Sequence, residues 1–162
     1  PKIFAPKLFE IFSNTAENAE DLISKYYDEI CVKNSKVHSW IWHDYERILS
    51  QINPDNSMFE EKKKIEERVG LPNSPFMELH YIKNNFFMDD KILNNASKLK
   101  NIPGYIIQGR YDLICPPVNA YNLSQKWVGS KLKIINTAGH SSSDEGIMEN
   151  MQYSLEKLIK AI

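Results

Sequence analysis

Apolar residues along the first hundred positions recur at three- and four-residue intervals, and after position 101 the period changes. Leu22, Ile23, Tyr26, Tyr27 and Ile30 follow a polar Asn14-Thr15-Ala16-Glu17 start and predict an amphipathic helix over about 16–33. Val37 to Ile52 carries Trp40, Ile41, Tyr45, Ile48 and Leu49 on one side, and the breaker cluster Asn53-Pro54-Asp55-Asn56-Ser57 stops it. A third helix, Met58 to Val69, ends at Gly70 with Pro72 beyond, the order expected of a C-terminal stop. Its Glu/Lys run reads as a solvated face. Pro75 opens a helix through Met77, Tyr81 and Ile82, and another runs from Asp89 to Leu99. This stretch holds no repeat and no low-complexity tract.

Past Asn101 short β-branched runs alternate with helical patterns. Tyr105-Ile106-Ile107-Gln108 ends at Gly109 and reads as a buried strand followed by a turn. A helix follows Pro116-Pro117, with Ala120, Leu123 and Trp127 on one side. Lys131 to Ile135 gives a second strand, and a closing helix from Gly146 to Ile162 has Ile147, Met151, Leu155, Leu158 and Ile159 in register. Strand, helix, strand, helix implies parallel strands joined by right-handed crossovers, hence an α/β fold. Two strands alone leave both sheet edges open, so residues 101–162 read as the end of a larger parallel sheet and residues 1–100 as a separate helical layer.

Composition narrows the function classes. The chain has 162 residues, 42% hydrophobic and 25% charged, enough for one domain with a core. Lys+Arg 20 against Asp+Glu 21 leaves a net charge of −1 and no excess of the kind that tracks nucleic acid or anionic membranes. No run approaches the roughly 18 to 20 apolar residues that span a bilayer, and PKIFAPKLFEIF lacks a signal-peptide core, so a soluble chain is expected. Cys31 and Cys115 are far apart with no metal-like spacing and read as buried free thiols in a reducing compartment, with the cytoplasm as the default location.

The residues able to do chemistry sit at strand ends. Asp112 lies just beyond the first strand and His140 just beyond the second, and functional loops gather at the carboxyl ends of parallel strands. A carboxylate that accepts the Nδ1 hydrogen of an imidazole fixes its tautomer and leaves Nε2 as general base. An acid followed by a histidine is the chain order of α/β-hydrolases, whose nucleophile lies upstream. Order and spacing alone leave open that Asp112 caps a turn and His140 is a polar loop residue. Asp144 and Glu145 read as solvated loop acids, and Cys115 as a packed thiol. Trp40, Trp42 and Trp127 read as packing residues. His38 and His43 do not share a helix face as a metal pair would, and no cofactor motif occurs.

The stretch Ile102-Pro-Gly-Tyr-Ile-Ile-Gln-Gly-Arg-Tyr-Asp-Leu-Ile-Cys-Pro116, with Ala120, Leu123, Trp127, Ala138-Gly-His-Ser141 and Glu145-Gly146-Ile147, closely resembles the C-terminal region of the proline iminopeptidases. These are serine peptidases of the α/β-hydrolase fold. The resemblance implies that Asp112 and His140 are the acid and base of the triad, and that residues 1–100 form a helical cap before the last two strands and helices of the core. Asp21-Leu-Ile-Ser-Lys-Tyr26 looks like an early cap helix. Glu78-Leu-His-Tyr81 looks like the family's E-x-H-Y segment, whose Glu binds the substrate's free amino group. The family's other amine-binding acid follows a Trp-rich helix ending in Trp-Glu. Aligning Ser39-Trp40-Ile41-Trp42-His43-Asp44 puts Asp44 in that place, with Asp for Glu and His43 for Trp.

The family's G-x-S-x-G elbow and His-Gly-Gly-Pro-Gly loop do not occur here, and neither Ser130 nor Ser141 lies at such an elbow. The resemblance thus implies an exopeptidase acting on peptides with an N-terminal proline and using no cofactor. Its nucleophile would come from a missing N-terminal half of the same protein, without which this chain is inactive. Two alternatives stand beside it: a broader aminopeptidase or amidase of the same fold, and a non-catalytic binding fragment.

Overall fold

The computed structural model describes residues 2–16, 18–54, 62–88 and 92–160. The chain divides into two compact units, Pro1–Ile48 with Asp55–Met88 and Leu49–Pro54 with Asp89–Ile162.

The first unit is helical. Helix α1, Pro6–Ser13, starts on a proline whose fixed φ suits a first turn and buries Leu8 and Phe12. It lies in the region read as helical, although the sequence pattern assigned no element there. Helix α2, Ala19–Tyr27, is capped by Asn18, whose side-chain oxygen accepts the Asp21 N–H at 2.9 Å. The cap stands past the expected Asn14 start, and the helix does not run as α to position 33. Residues Asp28–Val32 widen into a π-helical turn that puts Ile30 in the core and leaves Val32 exposed. Helix α3 is Lys36–Ser50, helix α4 Lys62–Glu67 and helix α5 Ser74–Lys83. In α4 only Ile65 is buried among residues 64–67, as a solvated charged face requires. Gly70 beyond it takes a φ of +80°, a left-handed conformation that glycine adopts at no steric cost. The expected starts at Met58 and Asp89, the breaker residues 55–57 and Ile162 lie outside the described residues.

Aromatic packing holds this unit together. The Phe12 ring stacks on Tyr45 at 3.9 Å and on Tyr26 at 4.7 Å, and Trp42 meets Tyr26 edge-on at 5.2 Å. Each such pair adds about 0.5 to 1.5 kcal/mol beyond burial. Tyr26 is fully buried, and its hydroxyl donates to the Phe12 carbonyl at 2.9 Å. Leu79 of α5, equally buried, completes the cluster.

The second unit is α/β. Helix α6, Ile92–Asn95, runs into a 3-10 turn at Ala96–Leu99. Strand β1, Gly104–Gly109, pairs in parallel with β2, Ser130–Ile135, from Gly104 opposite Ser130 to Gly109 opposite Ile135. Helix α7, Pro117–Lys126, connects them, and helix α8, Ile147–Ile159, follows. The backbone pairing continues past the strands. Arg110 donates its N–H to the Ile135 carbonyl at 2.9 Å and Tyr111 to Ala138 at 3.0 Å. Gly109 permits this approach, because a Cβ there would lie 1.9 Å from the Gly139 carbonyl oxygen. The loops bearing Asp112 and His140 are thereby drawn together.

Of the apolar row of α8, Ile147 is buried and Leu158 half-buried, while Met151, Leu155 and Ile159 are exposed; the buried face also carries Ser154. One expectation is corrected. Cys115 is exposed rather than buried, and Cys31 is half-buried; both are free thiols. No helix among the described residues is long and apolar enough to cross a membrane.

Gly109→Ala is expected to destabilise the chain by about 1 to 3 kcal/mol, because its methyl group meets backbone rather than a yielding side chain. The shift in urea midpoint measures this.

Candidate active site

Asp112 and His140 come together in the second unit. His140 Nδ1 lies 3.0 Å from Asp112 Oδ2. The Asp112 carboxylate is buried, at 6% exposure, so each lone pair needs a partner. Its Oδ1 accepts the backbone N–H groups of Ile114 at 3.0 Å and Cys115 at 2.7 Å. Its Oδ2 also accepts from Gln108 Nε2 at 3.1 Å, and the same Gln108 nitrogen donates to the Cys115 carbonyl at 3.1 Å. One oxygen therefore closes a turn and the other lies against the imidazole. The His140 side chain is 44% exposed, which leaves the ring open to solvent on the side away from Asp112.

Gln108 was read only as a strand residue. Its position four residues before Asp112, at the carboxyl end of β1, is the signal for its contact with the acid. Although Cys115 is exposed, partial desolvation of its thiol, reinforced by the Asp112 charge, pushes it above its ordinary pKa, which disfavours a thiolate there. The Ser130 hydroxyl donates to the Trp127 carbonyl at 2.8 Å, and that of Ser141 pairs with Ser143 at 2.7 Å. Among the described residues no group of three or more His, Cys, Asp and Glu side chains is arranged to hold a metal ion.

The first unit gathers a second set of acids. Glu78, on α5, accepts the Trp42 indole N–H at 2.7 Å. Asp44 is buried: Arg68 Nη1 donates to its Oδ2 at 2.8 Å, while its Oδ1, 3.6 Å from Arg47 Nη2, accepts no hydrogen bond among the described residues. Arg68 also stacks over the Trp40 ring at 4.7 Å. The acid hydrogen-bonded to Glu78 is Glu46, one helical turn after Trp42. Burial, then the hydrogen bond to Glu78 and its repulsion, push the Glu46 carboxyl up to about 8, against a smaller opposing effect from Trp42. Burial and the neighbouring Glu78 thus favour the protonated form of Glu46. Beside them His43 is driven toward its neutral form, chiefly by burial. The signal missed for Glu46 is a second aromatic-Glu pair in the same helix, Tyr45-Glu46, where the alignment had stopped at Asp44.

A relative from Leptolyngbya boryana named "Probable proline iminopeptidase" is 29% identical over 148 residues, 88% of this chain and 45% of its own length. A proline iminopeptidase of Arabidopsis thaliana is 28% identical over 149 residues, 88% of this chain and 38% of its own. One from Xylella fastidiosa reaches 44% identity over 68 residues, 41% of this chain and 22% of its own. The chain is a homologue of the proline iminopeptidases. It spans about half the length of the curated relatives it matches, with 38%, 45% and 52% covered in three of them. No protein-family model matches it.

The raised Glu46 pKa has a consequence for stability. A carboxyl that is protonated when folded and ionised when unfolded contributes stability below pH 4.5, and this is lost as pH rises toward about 8. Glu46→Gln has no proton to lose. It is expected to gain on the parent chain between pH 5 and pH 8.5 by about 1 to 2 kcal/mol, the full shift being discounted because the carboxyl is half-exposed. Denaturation midpoints of the two chains at both pH values check this.

Proposed function

We propose that the protein to which this chain belongs is a serine exopeptidase of the α/β-hydrolase fold that removes N-terminal proline residues from peptides. The observation that carries the reading is the 3.0 Å contact between His140 Nδ1 and the buried Asp112 carboxylate, on loops that follow two adjacent parallel strands. Homology to proteins named proline iminopeptidase supplies the substrate class.

In this reading a serine outside the chain attacks the carbonyl carbon of the N-terminal prolyl residue while His140 Nε2 takes its proton. His140 then returns the proton to the leaving amine, and the peptide C–N bond breaks. Water, activated by the same imidazole, hydrolyses the prolyl ester to free proline. Asp112 keeps the Nδ1–H tautomer and stabilises the imidazolium. The helical residues 1–100 serve as the cap and residues 101–162 as the end of the core. The missing part of the protein supplies the nucleophile and the oxyanion donors, and the exposed apolar row of α8 is available for it to cover.

Glu78 binds the prolyl ammonium. Glu46 takes the place of the second acid, because it lies beside Glu78 whereas Asp44 is paired with Arg68. A desolvated acid pair accepts only a free amino end, which limits cleavage to the first residue.

Three results are expected from hydrolysis of a chromogenic proline amide by the full-length gene product. His140→Ala lowers kcat by about a thousandfold or more. Glu78→Gln costs about 10- to 150-fold in kcat/KM, the range for hydrogen bonds to charged groups. KM falls as pH rises toward about 8, because Glu46 must give up its proton before the pair carries full charge. A KM that rises over that interval, or an alanine amide cleaved as fast as the proline amide, goes against the assignment.

A further inference from the structure

The loop that presents His140 carries three consecutive backbone N–H groups, and each has a defined acceptor. Gly139 donates to Asp144 Oδ2 at 2.7 Å. His140 and Ser141 both donate to the carbonyl of Ser50, each at 2.8 Å. Ser50 is the last residue of α3, where helix carbonyls lack intrahelical partners, so one helix end takes two bonds from the loop. Position 139 has no room for a side chain. A Cβ there would lie 2.9 Å from the Ser50 oxygen and 3.1 Å from Asp144 Oδ2.

Asp144 is also tied at its own backbone. Its N–H donates to the Ser141 carbonyl at 3.1 Å, and its carbonyl accepts the Ile147 N–H at 3.2 Å, at the start of α8. It therefore closes the 141–144 turn, joins that turn to a helix, and reaches back with its carboxylate to the residue before His140. A charge-assisted bond of this length is among the stronger ones available to an exposed loop. This corrects the reading of Asp144 as a solvated acid.

The imidazole needs such a device. His140 is 44% exposed, so side-chain packing does not fix it, and Asp112 holds it at one atom only. A hydrogen bond at Nδ1 leaves the ring free to pivot unless the backbone that carries it is held as well.

We propose that Asp144 is a positioning residue, which, with the Ser50 carbonyl, clamps the backbone of residues 139–141 so that His140 meets Asp112. The proposal rests on the reading of His140 as the catalytic base. A misplacement of about 1 Å costs on the order of 100-fold in rate. The step it serves is proton transfer at Nε2, so the effect falls on kcat and not on substrate binding.

The test uses the full-length gene product with Asp144→Ala, Asp144→Asn and Gly139→Ala. Proton NMR follows the downfield resonance of the His140 Nδ1–H held by Asp112, and turnover of a proline amide is measured alongside. For Asp144→Ala, kcat is expected to fall about 10- to 100-fold with KM within twofold, and the resonance to broaden or vanish. Asp144→Asn keeps an oxygen for the Gly139 N–H and restores both. Gly139→Ala gives the same signature as Asp144→Ala with the carboxylate intact, and it decides the matter if Asp144→Ala does not fold. Unchanged kcat and an unchanged resonance in the alanine variants overturn the clamp while leaving the peptidase reading in place. A parent protein that shows the resonance and its loss in Asp144→Ala, yet cleaves no proline amide, upholds the clamp and overturns the peptidase reading.

Discussion

A carboxylate removed from water must be surrounded by donors, and in the α/β unit most of the local architecture follows from meeting that demand at Asp112. Four donors reach it: the backbone N–H groups of Ile114 and Cys115, the Gln108 amide and the His140 ring. Each fixes something else. The two backbone bonds shape the turn after β1, and Gln108 ties that turn to the strand. The imidazole can arrive only if the loop after β2 lies against the end of β1. A parallel pairing that runs in register to Gly109 opposite Ile135, and a residue without a side chain at 109, provide that approach. Strand register, glycine placement and the orientation of a general base are thus one constraint seen at three scales.

The helical unit treats three carboxylates in three ways. Asp44 is neutralised by a cation, since Arg68 donates to it directly and Arg68 is itself stacked on Trp40. At Glu46, burial and the neighbouring Glu78 favour the protonated form over a second charge. Glu78 accepts the Trp42 indole N–H. In the proposed function Glu46 and Glu78 are the pair offered to the substrate's amino group, while Asp44 stays with Arg68.

Hydrophobic period made α2, α3, α5, α7 and both strands legible, because each buries a face against a neighbour within its own unit. It passed over α1, whose value lies in one ring, Phe12, placed between Tyr26 and Tyr45 by residues remote in sequence. It read the π turn at Asp28–Val32 as α-helix, since one extra residue in a single turn hardly alters a three-to-four spacing. In α8 it found the apolar row, but a pattern records what a face is suited to meet and not whether the partner is present: Met151, Leu155 and Ile159 are exposed. The Asp112 and His140 pairing was legible as a possibility from strand order and as an expectation from resemblance. Gln108 and Glu46 left only faint signals, a place four residues before Asp112 and a second aromatic-Glu pair, and Asp144 left none, because a polar side chain that acts on a neighbour's backbone or carboxylate carries no hydrophobic period.

Every hydrogen bond described here for the 139–141 backbone and the His140 ring comes from residues 50, 112 and 144, all within one compact unit. The bonds that orient the imidazole thus lie within that unit. In the proposed reaction this separates two tasks: setting the tautomer and direction of the base, which this chain performs, and supplying the hydroxyl that the base activates, which it does not. Preorganisation of this kind lowers a barrier because its energetic cost is met on folding, before substrate arrives. A base held by the substrate or by the nucleophile alone would have to be ordered anew in each turnover. The buried acid, the clamped loop and the close approach at Gly109 put that ordering into the fold.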